Sequence, residues 1–287
     1  MSRLTQQLHE FATSAGADLF GIAPIERFAD VSPNHHPASI FPETRSVIAL
    51  GKRITRGCLR GMEEGTQLTG FRIYAMNWVP NRFLAETTVG VASFLEDHQF
   101  EAVPLPDLPP ETPTMGIAVD DSRPAPNVMI DFAQAGVRCG LGEIGLTGLL
   151  MTPQFGPLQR IQLILTDAQL DPTPMYEGKI CDQCGACAQA CPLGAIHVEK
   201  TETRSIAGKQ CVIAEIDKDI CLRCENGACP NPSHPAGQPE RLGAICMRTC
   251  VARLHDEQRL TSRFVNPFRR RPAWMIDRSG KPQLMEK

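Results

Sequence analysis

No stretch of this sequence approaches the roughly 20 consecutive apolar residues that a membrane span needs. The opening segment, MSRLTQQLHEFATSAGADLF, has no uninterrupted apolar core of the kind a secretory leader carries. Long blocks of one charge sign are also missing and the formal charge is −3, so neither nucleic acid nor an anionic membrane is expected as a main partner. Tryptophan and tyrosine number only two each. What is left is a globular, cytoplasmic chain whose partners are small molecules or other proteins.

Cysteine, by contrast, is abundant, with twelve residues. A reducing compartment does not turn twelve thiols into six disulfides, and clustered spacing there points to metal or redox chemistry. Cys58 and Cys139 stand alone, whereas ten cysteines fall between Cys181 and Cys250.

Periodicity divides the chain. Leu4, Leu8, Phe11, Ala12 and Ala15 keep helical spacing until Gly16, and ADLFGIAP (17–24) follows as a strand. RSVIALGKRI (45–54) and RIQLILTDA (160–168) read as buried strands, and NRFLAETTVGVASFLEDHQF (81–100) as a long helix leading into a short strand at EAVPLP. This alternation predicts a layered α/β domain over 1–172, closed by the breaker-rich DPTPMYEG. A cysteine-rich domain is expected over 173–260, and an aperiodic tail over 261–287 that packs on the body. The overall class is α+β. Arg269, Arg270 and Arg271 read as a solvated turn.

Residues 181–192, CDQCGACAQACP, have cysteines at gaps of two, two and three residues with proline after the last. This is the bacterial two-cluster ferredoxin run, in which three cysteines hold one [4Fe–4S] cluster and the fourth ligates the other. Cys181, Cys184 and Cys187 are therefore expected on cluster one and Cys191 on cluster two. Two solutions complete the set. In the first, Cys221, Cys224 and Cys246 join Cys191, and Cys250 closes cluster one, with GACAQAC echoed by GAICMRTC. In the second, Cys211, Cys221 and Cys224 serve cluster two, and Cys229 closes cluster one. The first preserves the x3 spacing and treats NGACPNPSHPAGQP as an inserted loop. Zinc, normally held by paired C-x2-C units, does not explain the C-x3-C-P ending.

GLGEIGLTGLL (140–150) has G-x-G-x-x-G spacing, but IDFAQAGVRC before it reads as helix where a Rossmann fingerprint requires a strand, so NAD binding is rejected there. This segment, continued as GLGEIGLTGLLMTPQFGPLQRIQLILTDAQL and followed by the ferredoxin run, resembles epoxyqueuosine reductases and corrinoid-dependent reductive dehalogenases. GADLFGIAP and FPETRSVIALG are similar to their N-terminal segments. The resemblance implies a nitroreductase-like domain holding base-off cobalamin, then a ferredoxin-like domain whose two clusters feed electrons to cobalt. It assigns corrin contacts to Gly140, Gly142, Gly145, Leu146, Thr147 and Gly148. It also makes Asp121, in Asp121-Ser122-Arg123-Pro124, a proton donor, against the plainer reading of a turn cap. Tyr74 is a second donor candidate, more simply a packed aromatic. RGCLRGMEEGTQ (56–67) has no counterpart. The sequence also shows neither the tRNA-binding helical-repeat extension of the reductases nor the twin-arginine signal of respiratory dehalogenases.

Three functions follow. In one, an external low-potential donor feeds the clusters and the cobalamin reduces a small organic substrate. In another, the chain is an electron-transfer partner that reactivates a second redox protein. In a third, a flavin or no cofactor occupies the α/β cleft.

Overall fold

The computed structural model describes residues 1–285. Helix α1 (Arg3–Ser14) is capped by Ser2, whose hydroxyl accepts from the Thr5 N–H. It leads into β1 (Leu19–Pro24), which pairs antiparallel with β2 (Ser46–Arg53). After the short helix α2 (Gly57–Glu64), α3 (Ala85–Asp97) leads to β3 (Ala102–Leu105). Helix α4 (Phe132–Arg138), a small ladder of β4 (Glu143–Ile144) with β5 (Leu150–Met151), and β6 (Gln159–Thr166) complete the body. The main sheet has the order β1-β2-β6-β3 and is antiparallel throughout.

Both faces of this sheet are covered, so β2 and β6 read as continuous apolar runs instead of alternating ones. On one face α1 and α3 bury Leu8, Val91 and Leu95 against Ile48, Leu50 and Ile164. On the other, α4 packs Phe132, Ala135 and Val137 against Val47, Ala49, Leu163 and Leu165. Each fully buried aliphatic side chain contributes about 2 kcal/mol.

The helix expected over 81–100 begins earlier and in another form. A wide-turned π-helical segment, Phe71–Leu84, contains Pro80 and passes directly into α3. Proline has no N–H to give the carbonyl five residues back, and the Arg160 Nε donates to the Ala75 carbonyl at 3.1 Å instead. Gln162 donates to the Pro80 carbonyl at 2.9 Å. Side chains on β6 thus hold the irregular segment, which a 3.6-residue period cannot reveal.

The cysteine-rich region adds α5 (Ala186–Gln189), a hairpin of β7 (Ile196–Ile206) and β8 (Lys209–Ile216), α6 (Lys218–Cys221) and α7 (Ile245–Asp256). Ala207 and Gly208 both have positive φ, as a two-residue hairpin turn requires. Ile206 and Cys211 enter the core beneath the main sheet, so the two regions share hydrophobic packing. In the tail, Phe268 packs beside Leu59 and Val251, Arg269 pairs with Glu64 at 3.0 Å, and Arg270 pairs with Asp256 at 2.9 Å. The hairpin β9 (Trp274–Ile276) with β10 (Pro282–Leu284) follows, an element the aperiodic sequence did not suggest. No helix among the described residues is long and apolar enough to cross a membrane.

Candidate functional site

The clustered cysteines form two neighbouring groups. Cys250 lies within electrostatic reach of Cys187, Cys181 and Cys184 and also of Cys246, and Cys246, one turn earlier on α7, lies within reach of Cys191, Cys221 and Cys224. The i, i+4 spacing sets both thiols on one helix face, so α7 serves both groups. Cys211 is buried under the main sheet. Cys229 forms a backbone bridge with Glu240, and its Sγ lies 3.8 Å from the Met76 Sδ. Cys246 and Cys250 are the pair used in one of the two sequence solutions, Cys211 and Cys229 the pair used in the other. Cys58 lies near the Thr55 hydroxyl, and Cys139 is a core thiol pushed up to about 12 by burial.

Burial also pushes Cys187 up to about 11 and Cys246 up to about 12, and raises Cys250. Neighbouring thiols add to each shift, so anything binding here as a cation must displace protons. Among the described residues no group of His, Cys, Asp or Glu could hold a single metal ion. A four-iron cube carries each thiolate on its own iron and so takes a wider set.

The glycine-rich segment packs directly on these groups. The Leu146 N–H points at the Cys181 Sγ at 3.4 Å, and Leu146 is buried among Cys187, Cys246 and Met247. Glu143, inside the same segment, is buried and accepts from the N–H groups of Ile180 and Cys181, each at 2.7 Å, while its other oxygen lies 3.4 Å from the Lys209 Nζ. Asp182 is held bidentately by Arg253 at 2.8 Å on both nitrogens and by Arg259 at 2.9 Å, and the Arg253 bonds hold its carboxyl well below the usual range. The first group therefore sits among charges that are already paired.

The second group encloses a narrow void lined by Cys191, Cys221, Cys224 and Cys246 together with Arg241. Arg241 is 4% exposed; one of its terminal nitrogens donates to the Thr147 carbonyl at 2.8 Å, whereas Nε and Nη1 have no partner. Buried donors left unpaired are costly, and an anionic group held by these cysteines would lie beside them. The donor set, four thiols with a buried guanidinium, matches the chemistry of an iron–sulfur cube.

The fit for a corrin along the glycine stretch is poor. A Cβ on Gly140 would strike the Pro174 carbonyl, one on Gly142 the Met151 carbonyl, and one on Gly145 would lie 2.9 Å from the Met151 side chain. Leu146 and Thr147 are covered as well, which leaves Gly140 and Gly148 half-open. The glycines here permit close approach of the chain to itself.

Asp121 lies on an exposed turn, and it is Asp120 that caps the Ser122 N–H there, at 2.8 Å. Tyr74 is 49% exposed and meets Trp78 edge to face, so it is not the packed aromatic expected. Asp107, which the sequence reading passed over, follows β3 in a crevice. Its surface stays accessible, yet surrounding protein crowds it, and this desolvation pushes its carboxyl up to about 6 against the opposing pull of Arg160. Arg160 is itself paired with Glu240 at 2.7 Å. Behind α7 a cleft of about 350 Å³ is lined by Thr55, Phe155, Val251, His255 and Phe264 among others. Glu143 had a signal, a lone charge inside an apolar glycine run; Arg241 and Asp107 had none, because only folding places them.

No protein-family model matches the chain. Over 82 residues it is 43% identical to tetrachloroethene reductive dehalogenase of Dehalobacter restrictus, a match covering 28% of this chain and 15% of that protein. A related enzyme of Desulfitobacterium hafniense is 48% identical over 67 residues, 22% of this chain and 12% of that protein. Among solved structures, a reductive dehalogenase described in terms of B12-dependent dehalogenation has a similar fold, with a TM-score of 0.54 and 16% identity, over 85% of this chain and 30% of that one. An epoxyqueuosine reductase bound to a tRNA stem loop is matched at a TM-score of 0.47 and 16% identity, over 77% of this chain and 56% of that one. This chain therefore spans a small part of the curated relatives it matches and less than a third of the dehalogenase structure.

Proposed function

We propose that this chain, similar to reductive dehalogenases over part of its sequence and in fold, is an iron–sulfur oxidoreductase. Cys181, Cys184, Cys187 and Cys250 hold one [4Fe–4S] cluster, and Cys191, Cys221, Cys224 and Cys246 hold a second. What supports this reading is that Cys250 lies near Cys181, Cys184 and Cys187, while Cys246, one turn away, lies near Cys191, Cys221 and Cys224. Bound clusters supply one-electron transfer at low potential. The chain's own part is to bury the thiols, direct the Leu146 and Ala195 N–H groups at the sulfurs of Cys181 and Cys191, and leave Cys184 at the surface, where an external low-potential donor reaches it.

The acceptor is a small organic molecule, and the cleft of about 350 Å³ suits a molecule smaller than a corrin. Gly142, Gly145, Leu146 and Thr147 are covered by the protein's own packing, so a corrinoid taken up by this chain would lie away from that segment. Asp121 on its loop and Asp107 after β3 are the two proton donors in contention; the carboxyl of Asp107 is raised toward neutrality. The same covered segment, together with exposed Cys184, favours a second reading, in which the chain delivers electrons to another redox protein.

Anaerobic purification with iron and cobalt analysis and a cobalamin titration separates the two. Cobalamin that binds and is reduced through the clusters supports the enzyme. Iron-loaded protein that ignores cobalamin, yet passes electrons to a partner, supports the relay.

A further inference from the structure

We propose that Arg241 is the fixed counter-charge of the second cluster and sets how readily that site holds an added electron. The inference deepens the two-cluster reading and depends on it. Reduction adds one negative charge to a site already carrying four thiolates. In an interior that screens poorly, a nearby guanidinium favours the reduced form far more than it would in water.

The two cysteine groups differ in this respect. Around the first, the charges are matched: Arg253 and Arg259 are tied to Asp182, and Lys209 to Glu143. Around the second, Arg241 has no carboxylate, only the Thr147 carbonyl on one nitrogen; its Nε and Nη1 are buried without a partner, the residue lines the void that the four cysteines enclose, and its charge reaches Cys246 and Cys221. Arg248, also close to Cys246 and Cys224, bonds backbone carbonyls of Gly243, Met62 and Asn226. The acids nearest this group, Asp217 and Glu225, are not buried, and water screens them. A buried cation without an anion is an arrangement that proteins avoid unless something negative completes it.

In the electron transfer itself no bond forms and no proton moves. One electron leaves an external one-electron reductant, titanium(III) citrate in the test, and stays on the cluster beside Arg241.

The test is a potentiometric titration of the anaerobically reconstituted full chain, followed by electron paramagnetic resonance, for the wild type, Arg241→Gln and Arg241→Lys. With iron content held at about eight per chain for two cubes, Arg241→Gln is expected to lower the midpoint of one cluster only. At a poise where the wild type shows about two spins per chain, that variant shows about one. Arg241→Lys keeps the charge and restores the wild-type titration. Two unchanged midpoints in Arg241→Gln at full iron content overturn the role of Arg241 and leave the clusters standing, whereas wild type without iron overturns the underlying reading. If Arg241→Gln sheds four irons, the lysine variant decides: a wild-type midpoint supports the counter-charge, and a lowered one overturns it.

Discussion

Strand β2 buries six successive residues, Ser46 to Gly51, between helices on both faces of its sheet, whereas the stretch from Cys181 to Cys250 is organised around thiols. The largest fully buried side chains, such as Phe28, Ile48, Leu95 and Leu163, all lie in the first 165 residues. The body is therefore held by hydrocarbon; the cysteine-rich region has only smaller apolar clusters, and on the proposed reading the metal its sulfurs bind adds folding energy there.

That contrast breaks most visibly when the iron goes. A chelator is expected to strip amide protection from 181–250 while β2 and β6 stay protected, as hydrogen exchange will show. In the same spirit Cys246→Ser loses about four irons per chain and Cys229→Ser loses none, by iron assay.

A body substitution should do the reverse. Leu163→Ala, in a wholly buried site, costs about 3 kcal/mol by denaturant unfolding and leaves the iron content unchanged. Glu143 sharpens the comparison because it belongs to both regions. Glu143→Ala removes the acceptor of the Ile180 and Cys181 N–H groups and strands Lys209, for a loss of about 2 kcal/mol, with an altered resonance from only one cluster.

The smallest effect is at Asp107. An acid whose folded pKa is raised to about 6 destabilises the fold as pH climbs from about 4, where the unfolded side chain ionises, through about 6. Asp107→Asn removes that decline. The variant should melt above wild type at pH 7 and level with it below pH 4; equal melting temperatures at both would show that the crevice does not desolvate the carboxyl. Loss of substrate reduction in Asp107→Asn but not in Asp121→Asn would assign the proton donor to the crevice.

The body was legible wherever packing is periodic. Leu8, Phe11 and Ala12 marked α1, and the apolar runs at 45–54 and 160–168 marked the two central strands, because burial on both faces leaves an uninterrupted signature. The π-helical segment was hidden because Pro80 and its side-chain substitutes obey no period. The β7–β8 hairpin was missed although Ala207-Gly208 marks its turn, since most of β7 faces solvent and lacks an apolar alternation. At the site, cysteine spacing was readable because it is a local pattern of fixed gaps. The fixing contacts around them were not: Glu143 meets Ile180 across 37 residues and Arg241 meets Thr147 across 94, separations that no local pattern encodes.

The most direct test is the iron content and spin count of chain prepared without oxygen. About eight irons per chain and two distinct reducible four-iron centres are expected, with Cys250→Ser removing one centre and Cys191→Ser the other. Protein that takes up no more than about four irons, or that loses the same centre in both variants, contradicts the exchange of thiolates between the two halves.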